Sequence, residues 1–239
     1  MTEISHWFVC EDWRVAEQSY RYRGHKRGIL LANEEALIDA RQPLFWAKAV
    51  GDFRNPFIPS DFPMPQLHMP AKGFAPDYFG TGIYKFVSHR VREAFALPDS
   101  IAQYIPIELL SGGAEARAQK YHWMNLLACY PAIDLQRSSY TMSDGLTYAT
   151  GEKLRYINSY ERMVIRDDIA PSAELFRVAE DLTTVLASDA LAERVMRAGC
   201  TGIAFEDPAT ARNFGPISRY RTATGVEEED MYKVLGPVR

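Results

Sequence analysis

From Lys120 to Tyr130 the chain reads KYHWMNLLACY, with bulky apolar side chains at odd and even positions alike. A strand with one wet face alternates apolar with polar. A run that is apolar on both faces must be covered on both, so this segment predicts a central strand. Shorter runs predict strands at Ile4–Val9, Ile83–Val87, Leu154–Ile157, Arg162–Ile165, Leu175–Ala179 and Ile203–Phe205, with Asn158-Ser159 as a turn and Ile101–Leu110 extended. Three segments carry helix signals instead. Ala32–Ala40 has Asn33 as a cap, Glu34 and Glu35 at the positive end of the dipole, and Pro43 as a stop. Ser88 caps a helix whose face is Val91, Ala94 and Phe95, closed by Pro98. Ser188 caps another, with Asp189 in its first turn, Leu191, Val195 and Ala198 on one face, and Gly199 as the left-handed stop. Phe86-Val87-Ser88 and Leu186-Ala187-Ser188 thus open two similar strand–serine–helix units, and Ser111-Gly112-Gly113 reads as a loop.

The span from Asn55-Pro56 through Pro59, Pro63, Pro65 and Pro70 to Pro76 has a different texture. Proline fixes φ and removes a donor, so neither a helix nor an inner strand is expected to run through it. Phe57, Phe62, Met64, Leu67 and Phe74 would be stranded in water on a free linker, so a long loop wrapped on the core is expected. The fold class that follows is α+β: a central mixed or largely antiparallel sheet, a few short helices, and a long proline-rich N-terminal loop. Residues 1–80 form the N-terminal segment and 81–239 an α/β domain, or both belong to one continuous domain. Apolar residues make up 47% of the 239 and charged residues 24%, a balance that builds a packed core rather than whole-chain disorder.

Composition narrows the function classes. No apolar stretch reaches the roughly 18–20 residues of a membrane helix, and the first twenty residues carry charge instead of an apolar leader. Three widely spaced cysteines, Cys10, Cys129 and Cys200, fit reduced thiols in a cytoplasm. A net charge of −4 argues against nucleic acid as the main partner, because phosphate contacts need Lys and Arg.

Motifs for chemistry are missing. The sequence holds no phosphate-cradling G-x-x-x-x-G-K-[ST], no G-x-S-x-G elbow, no H-E-x-x-H and no C-x-x-C, and Gly80-Thr81-Gly82 lacks its third glycine. His6 and Cys10 lie four apart with no second pair to complete a metal site, and His25, His68, His89 and His122 are scattered. No catalytic residue, metal or cofactor is therefore assigned. Asp167-Asp168 reads as a solvated turn, or as half of a carboxylate site. The interleaved Tyr20–Arg27 cluster reads as a protected edge strand, or as a polyanion site.

The order of segments from Ile83 to Phe205 resembles a known family. It runs from Phe86-Val87-Ser88 through Pro106-Ile107-Glu108-Leu109 and the Tyr121–Leu127 strand to Ile133-Asp134 and Ser138-Ser139. It continues through Leu175-Phe176-Arg177 to Ala187-Ser188-Asp189, then Gly199, Gly202, Ile203 and Phe205. This is similar to the bacterial immunity proteins called Imm11, or DUF1629, which accompany polymorphic toxins. The resemblance implies a cytoplasmic antitoxin without an active site. Its partner would be a cognate toxin encoded by a neighbouring gene and delivered by a contact-dependent system such as type VI secretion. Inhibition would come from covering the toxin's active cleft. Interface hot spots favour Trp, Tyr and Arg. Where they prove exposed, Trp46, Tyr78, Phe79, Tyr220, Arg221 and Tyr232 are the expected contacts, and Asp167, Asp168, Glu227, Glu228, Glu229 and Asp230 would steer a basic partner. The competing classes are a hydrolase whose carboxylates meet only in three dimensions, and a nucleic-acid module built on Tyr20–Arg27.

Overall fold

The computed structural model describes residues 4–12, 29–46, 55–70, 75–81, 84–147, 153–169, 173–181, 183–210 and 217–230. Within these the fold is α+β: four helices with antiparallel and mixed sheets.

The largest sheet has seven strands. They are β1 (His6–Glu11), β9 (Cys129–Tyr130), β12 (Leu175–Val178), β13 (Val185–Ser188), β14 (Ile203–Glu206), β15 (Ile217–Arg221) and β16 (Val226–Asp230). Their spatial order is β16-β15-β14-β1-β13-β12-β9. Only the β9–β12 pair is parallel. The N-terminal strand is thus an inner one, held between β13 and β14. Its alternation serves two cores. Trp7 and Val9 join the cluster that contains both later helices, whereas Phe8 packs with Phe176, Val178 and Leu186 on the opposite face.

A second sheet of four strands runs β4 (Tyr78–Thr81), β5 (Tyr84–Val87), β8 (His122–Leu126) and β6 (Ala102–Pro106). The aromatic run at Lys120–Tyr130 contributes β8, the inner strand between β5 and β6, as its two-faced pattern predicts. Met124 and Leu126 face the core shared with the large sheet, while Trp123 faces a cluster with Tyr84, Phe86, Leu37 and Leu67. The run does not continue as one strand. It bends at Leu127-Ala128, whose N–H groups both bond the Ile101 carbonyl, and re-enters the large sheet as β9.

The serine-capped units form as expected. Ser88 Oγ accepts the Val91 N–H at 3.3 Å and starts α2 (His89–Phe95); Ser188 Oγ accepts the Leu191 N–H at 3.2 Å and starts α4 (Asp189–Arg197). The two helices pack together, and Arg194 of α4 caps the end of α2 by donating to the carbonyls of Ala94 and Phe95 at 2.7 and 2.8 Å. Leu191, Ala192 and Val195 make the buried face of α4, and Ala198 is exposed instead.

Several elements depart from the sequence pattern. α1 spans Glu34–Trp46 and runs past Pro43. Leu37 is fully buried and Leu44 packs on the same cluster, so burial outweighs the hydrogen bond that the proline cannot donate. The Asn33 side chain does not cap this helix. It accepts the Gln66 N–H and donates to the Met64 carbonyl, pinning the proline-rich span. Between Pro65 and Pro70 that span forms β3 (Gln66–His68), the inner member of a three-stranded sheet with β2 (Leu30–Leu31) and β7 (Glu108–Ser111). The strand is short enough to fit between prolines, so none of them has to donate to the ladder. Ser111 still belongs to β7, and after Gly112-Gly113 comes α3 (Ala114–Ala118), one more short helix. Asn158-Ser159 is not a turn: β11 (Lys153–Arg162) passes straight through it, paired with β10 (Ser139–Thr147). Register shifts along that pair break the period-two signal, and Asp144-Gly145, a turn sequence elsewhere, sits inside β10.

Candidate partner-binding surface

The acidic run near the C-terminal end of the chain is a strand, not a free tail. β15 and β16 form an antiparallel hairpin at the edge of the large sheet, with Arg219 opposite Glu228 and Tyr220 opposite Glu227. The Thr222 N–H bonds the Gly225 carbonyl to close its turn. An edge strand offers unpaired backbone groups, and charged side chains on it discourage promiscuous pairing. The pleat sends alternate residues to opposite sides, and Val226, Glu227 and Glu228 are exposed.

Arg221 anchors the hairpin to α4. Its guanidinium reaches Asp189 at 2.8 Å and Glu193 at 3.1 Å, and Asp189 also accepts the Trp7 indole N–H at 2.8 Å. Only 11% of the Arg221 side chain is exposed, so most of its hydrogen-bonding capacity is spent inside the chain. Arg219 pairs with Asp207 at 2.9 Å and lies 3.7 Å from Glu228. Asp207 is 4% exposed, which makes that pair structural. Tyr220, Arg221, Glu227, Glu228 and Glu229 converge with Met196 and Ile203 around a shallow cleft of about 100 Å³.

The other expected contacts sit elsewhere. Tyr78 and Phe79 are 2% and 5% exposed. Phe79 stacks on Phe86 with ring centres 5.3 Å apart, and Tyr78 belongs to the core beside Trp7. Tyr220 is 5% exposed. These three do not meet the exposure condition within this chain. Trp46 ends α1 and Asp230 ends β16, with both side chains outside the described part; Tyr232 and the Tyr20–Arg27 cluster lie outside the described residues altogether.

Asp167 and Asp168 are exposed but answered by arginines. Arg137 bridges Asp134 at 3.2 Å and Asp167 at 2.9 Å, and Arg166 holds Asp168 at 2.6 Å. The hydrogen bond from Arg166 keeps the Asp168 carboxyl below the usual aspartate range. With a cation beside each carboxylate, this turn projects less negative field than its sequence implies.

Among the described residues, no group of three or more His, Cys, Asp and Glu side chains is placed to hold a metal ion. No helix among them is long and apolar enough to cross a membrane. What the geometry presents is a scaffold whose large sheet ends in a charged edge hairpin. The model of the immunity protein family Imm11 matches residues 15–210, more than three quarters of the chain, and the chain belongs to that family. The match reaches well upstream of Ile83, where the segment order that carries the resemblance begins. No curated protein matches the chain.

Proposed function

We propose that this chain is a cytoplasmic antitoxin that binds a cognate toxin, encoded beside it and delivered by a contact-dependent system such as type VI secretion, and inhibits it by covering its active cleft. It acts by binding, without catalysis of its own. The observation that carries this reading is the membership in a family of immunity proteins. Protection of a cell requires tight binding, which an interface of roughly 1,200–2,000 Å² supplies when its centre is well packed. The β15–β16 hairpin is the proposed contact surface, with Glu227, Glu228, Glu229 and Asp230 meeting a basic face of the toxin while Arg221 holds the hairpin against α4. Exposed Val226 supplies apolar area beside them. Asp167, Asp168, Trp46 and Tyr232 are secondary candidates. Residues 1–80 are proposed to be part of one continuous domain, because β1 fills the middle of the large sheet.

Two measurements test this. Titrating the chain into an assay of the toxin's own activity is expected to abolish that activity at a one-to-one ratio. Residual activity at saturation would place the contact away from the toxin's active cleft. The double variant Glu227→Lys/Glu228→Lys is expected to slow association by about tenfold or more at low salt, with the difference shrinking as salt rises. An unchanged association rate moves the interface off this hairpin.

A further inference from the structure

Five basic side chains converge on one open cleft, and no carboxylate lines it. The cleft lies between α2, the corner joining β6 to β7, α3 and the start of β8, and encloses about 530 Å³. His89, Arg92, Arg117, Lys120 and His122 supply its polar lining. Pro106, Ile107 and Leu109 form an apolar wall. Such a concentration is unexpected in a chain of net charge −4.

Among the described residues, Arg92, Arg117 and Lys120 have no carboxylate partner, whereas His89 pairs with Glu93 at 3.3 Å. Arg92 donates to His122 Nε2 at 3.3 Å, and its guanidinium carbon lies 5.1 Å from the centre of the Tyr104 ring. Both partners are neutral, so they orient the guanidinium without cancelling it. Of the nearby acids, Glu93 answers His89 from an exposed position, Glu108 points to the other face of β7, where it accepts from Gln66, and Glu115 is exposed in the first turn of α3. Burial, then Arg92 and His89, push the basicity of His122 below the usual histidine range, as expected where positive charge lacks an answer. Lys120 also holds φ of 50°, a left-handed conformation that only glycine adopts freely.

A single carboxylate would satisfy one of three permanent cations. A group carrying two or three negative charges matches them better, and planar guanidinium grips phosphate oxygens in pairs. The volume falls in the range of small-molecule sites, and the apolar wall suits a ring or aliphatic portion. We propose that this cleft binds a small phosphate-bearing ligand, with a pyrophosphate group held by Arg92, Arg117 and Lys120 and an apolar or aromatic moiety laid on Pro106, Ile107 and Leu109. This site is independent of the toxin-binding reading, and either can fail without the other.

Calorimetric titration of the full chain with ATP, and separately with inorganic pyrophosphate, tests it at about 150 mM salt, where loose surface attraction is screened. Saturable binding of both is expected, with ATP the tighter. Arg117→Gln/Lys120→Gln is expected to weaken ATP by about tenfold or more. Arg162→Gln, a basic substitution on β11 outside the cleft, is expected to leave it unchanged. Lys120→Gly removes one cation while relaxing the backbone, so it keeps the fold and still weakens binding. Three results overturn the proposal: no saturable binding up to millimolar ATP; equal weakening by Arg162→Gln; or saturable binding of a hexaglutamate peptide with none of ATP, which assigns the cleft to a carboxylate-bearing partner.

Discussion

Replacing Asp77 by alanine lowers the stability of the chain by about 3–5 kcal/mol, the scale of breaking a buried charged network from one side. Asp77 is 1% exposed. One carboxylate oxygen accepts the Ser88 hydroxyl at 2.7 Å. The other accepts both the Thr201 N–H at 2.9 Å and the Thr201 hydroxyl at 2.8 Å, with Arg90 3.6 Å away. Ser88 is the cap of α2, and Thr201 lies just beyond α4 and Gly199. Asp77 therefore ties the start of one capped unit to the end of the other, across the interface where their helices pack. The alanine variant leaves the Ser88 hydroxyl and the two Thr201 donors without their acceptor in a largely buried site, while the half-exposed Arg90 turns to water. For a chain of this size the loss corresponds to a melting point lower by about 6–20 °C. Asp77→Asn keeps one acceptor oxygen and is expected to cost about half as much. A loss below about 1 kcal/mol in the alanine variant, read by urea unfolding, contradicts the role assigned to this carboxylate.

Gly202→Ala is expected to be nearly as damaging, at about 3–5 kcal/mol, and the effect arises at the same joint. Gly202 has φ of +81°, in the left-handed region. An added Cβ would also overlap the carbonyl oxygen of Tyr78 and lie 2.7 Å from Pro76 Cβ. The backbone there has no freedom to retreat. The Tyr78 N–H bonds the Thr201 carbonyl at 3.1 Å, and the Gly202 carbonyl accepts the Asp12 N–H at 3.0 Å. Gly199→Ala is the informative control. It has a similar φ of +66° but open space around the missing Cβ, so it is expected to show the backbone cost alone, about 1 kcal/mol. Equal losses in the two variants would mean that the close approach at Tyr78 contributes nothing.

The parts of this fold that were legible in the sequence are those whose signal is local. Ser88 and Ser188 sit three residues ahead of the N–H groups they accept, and Gly199 follows the last turn of α4. KYHWMNLLACY needs two covered faces wherever it lies, so β8 is central. What escaped depends on partners far along the chain. Pro43 stays inside α1 because Leu37 and Leu44 find a core built from residues dozens of positions away. Asn33 abandons the helix end it could cap because Gln66 and Met64 arrive beside it. Tyr78, Phe79 and Tyr220 look like contact aromatics in one dimension, and tertiary packing buries them. The cationic cleft was invisible for the same reason. His89 and Arg92 come from α2, Arg117 from α3, and Lys120 and His122 from the approach to β8 and its first residue, and no spacing rule links them.

The most direct test of the antitoxin reading is co-expression of this chain with each product encoded beside it, with capture of the complex and growth of the host read together. One neighbour is expected to poison the host when expressed alone, and this chain to bind it one to one and restore growth. No complex and no rescue with every adjacent product would contradict that reading.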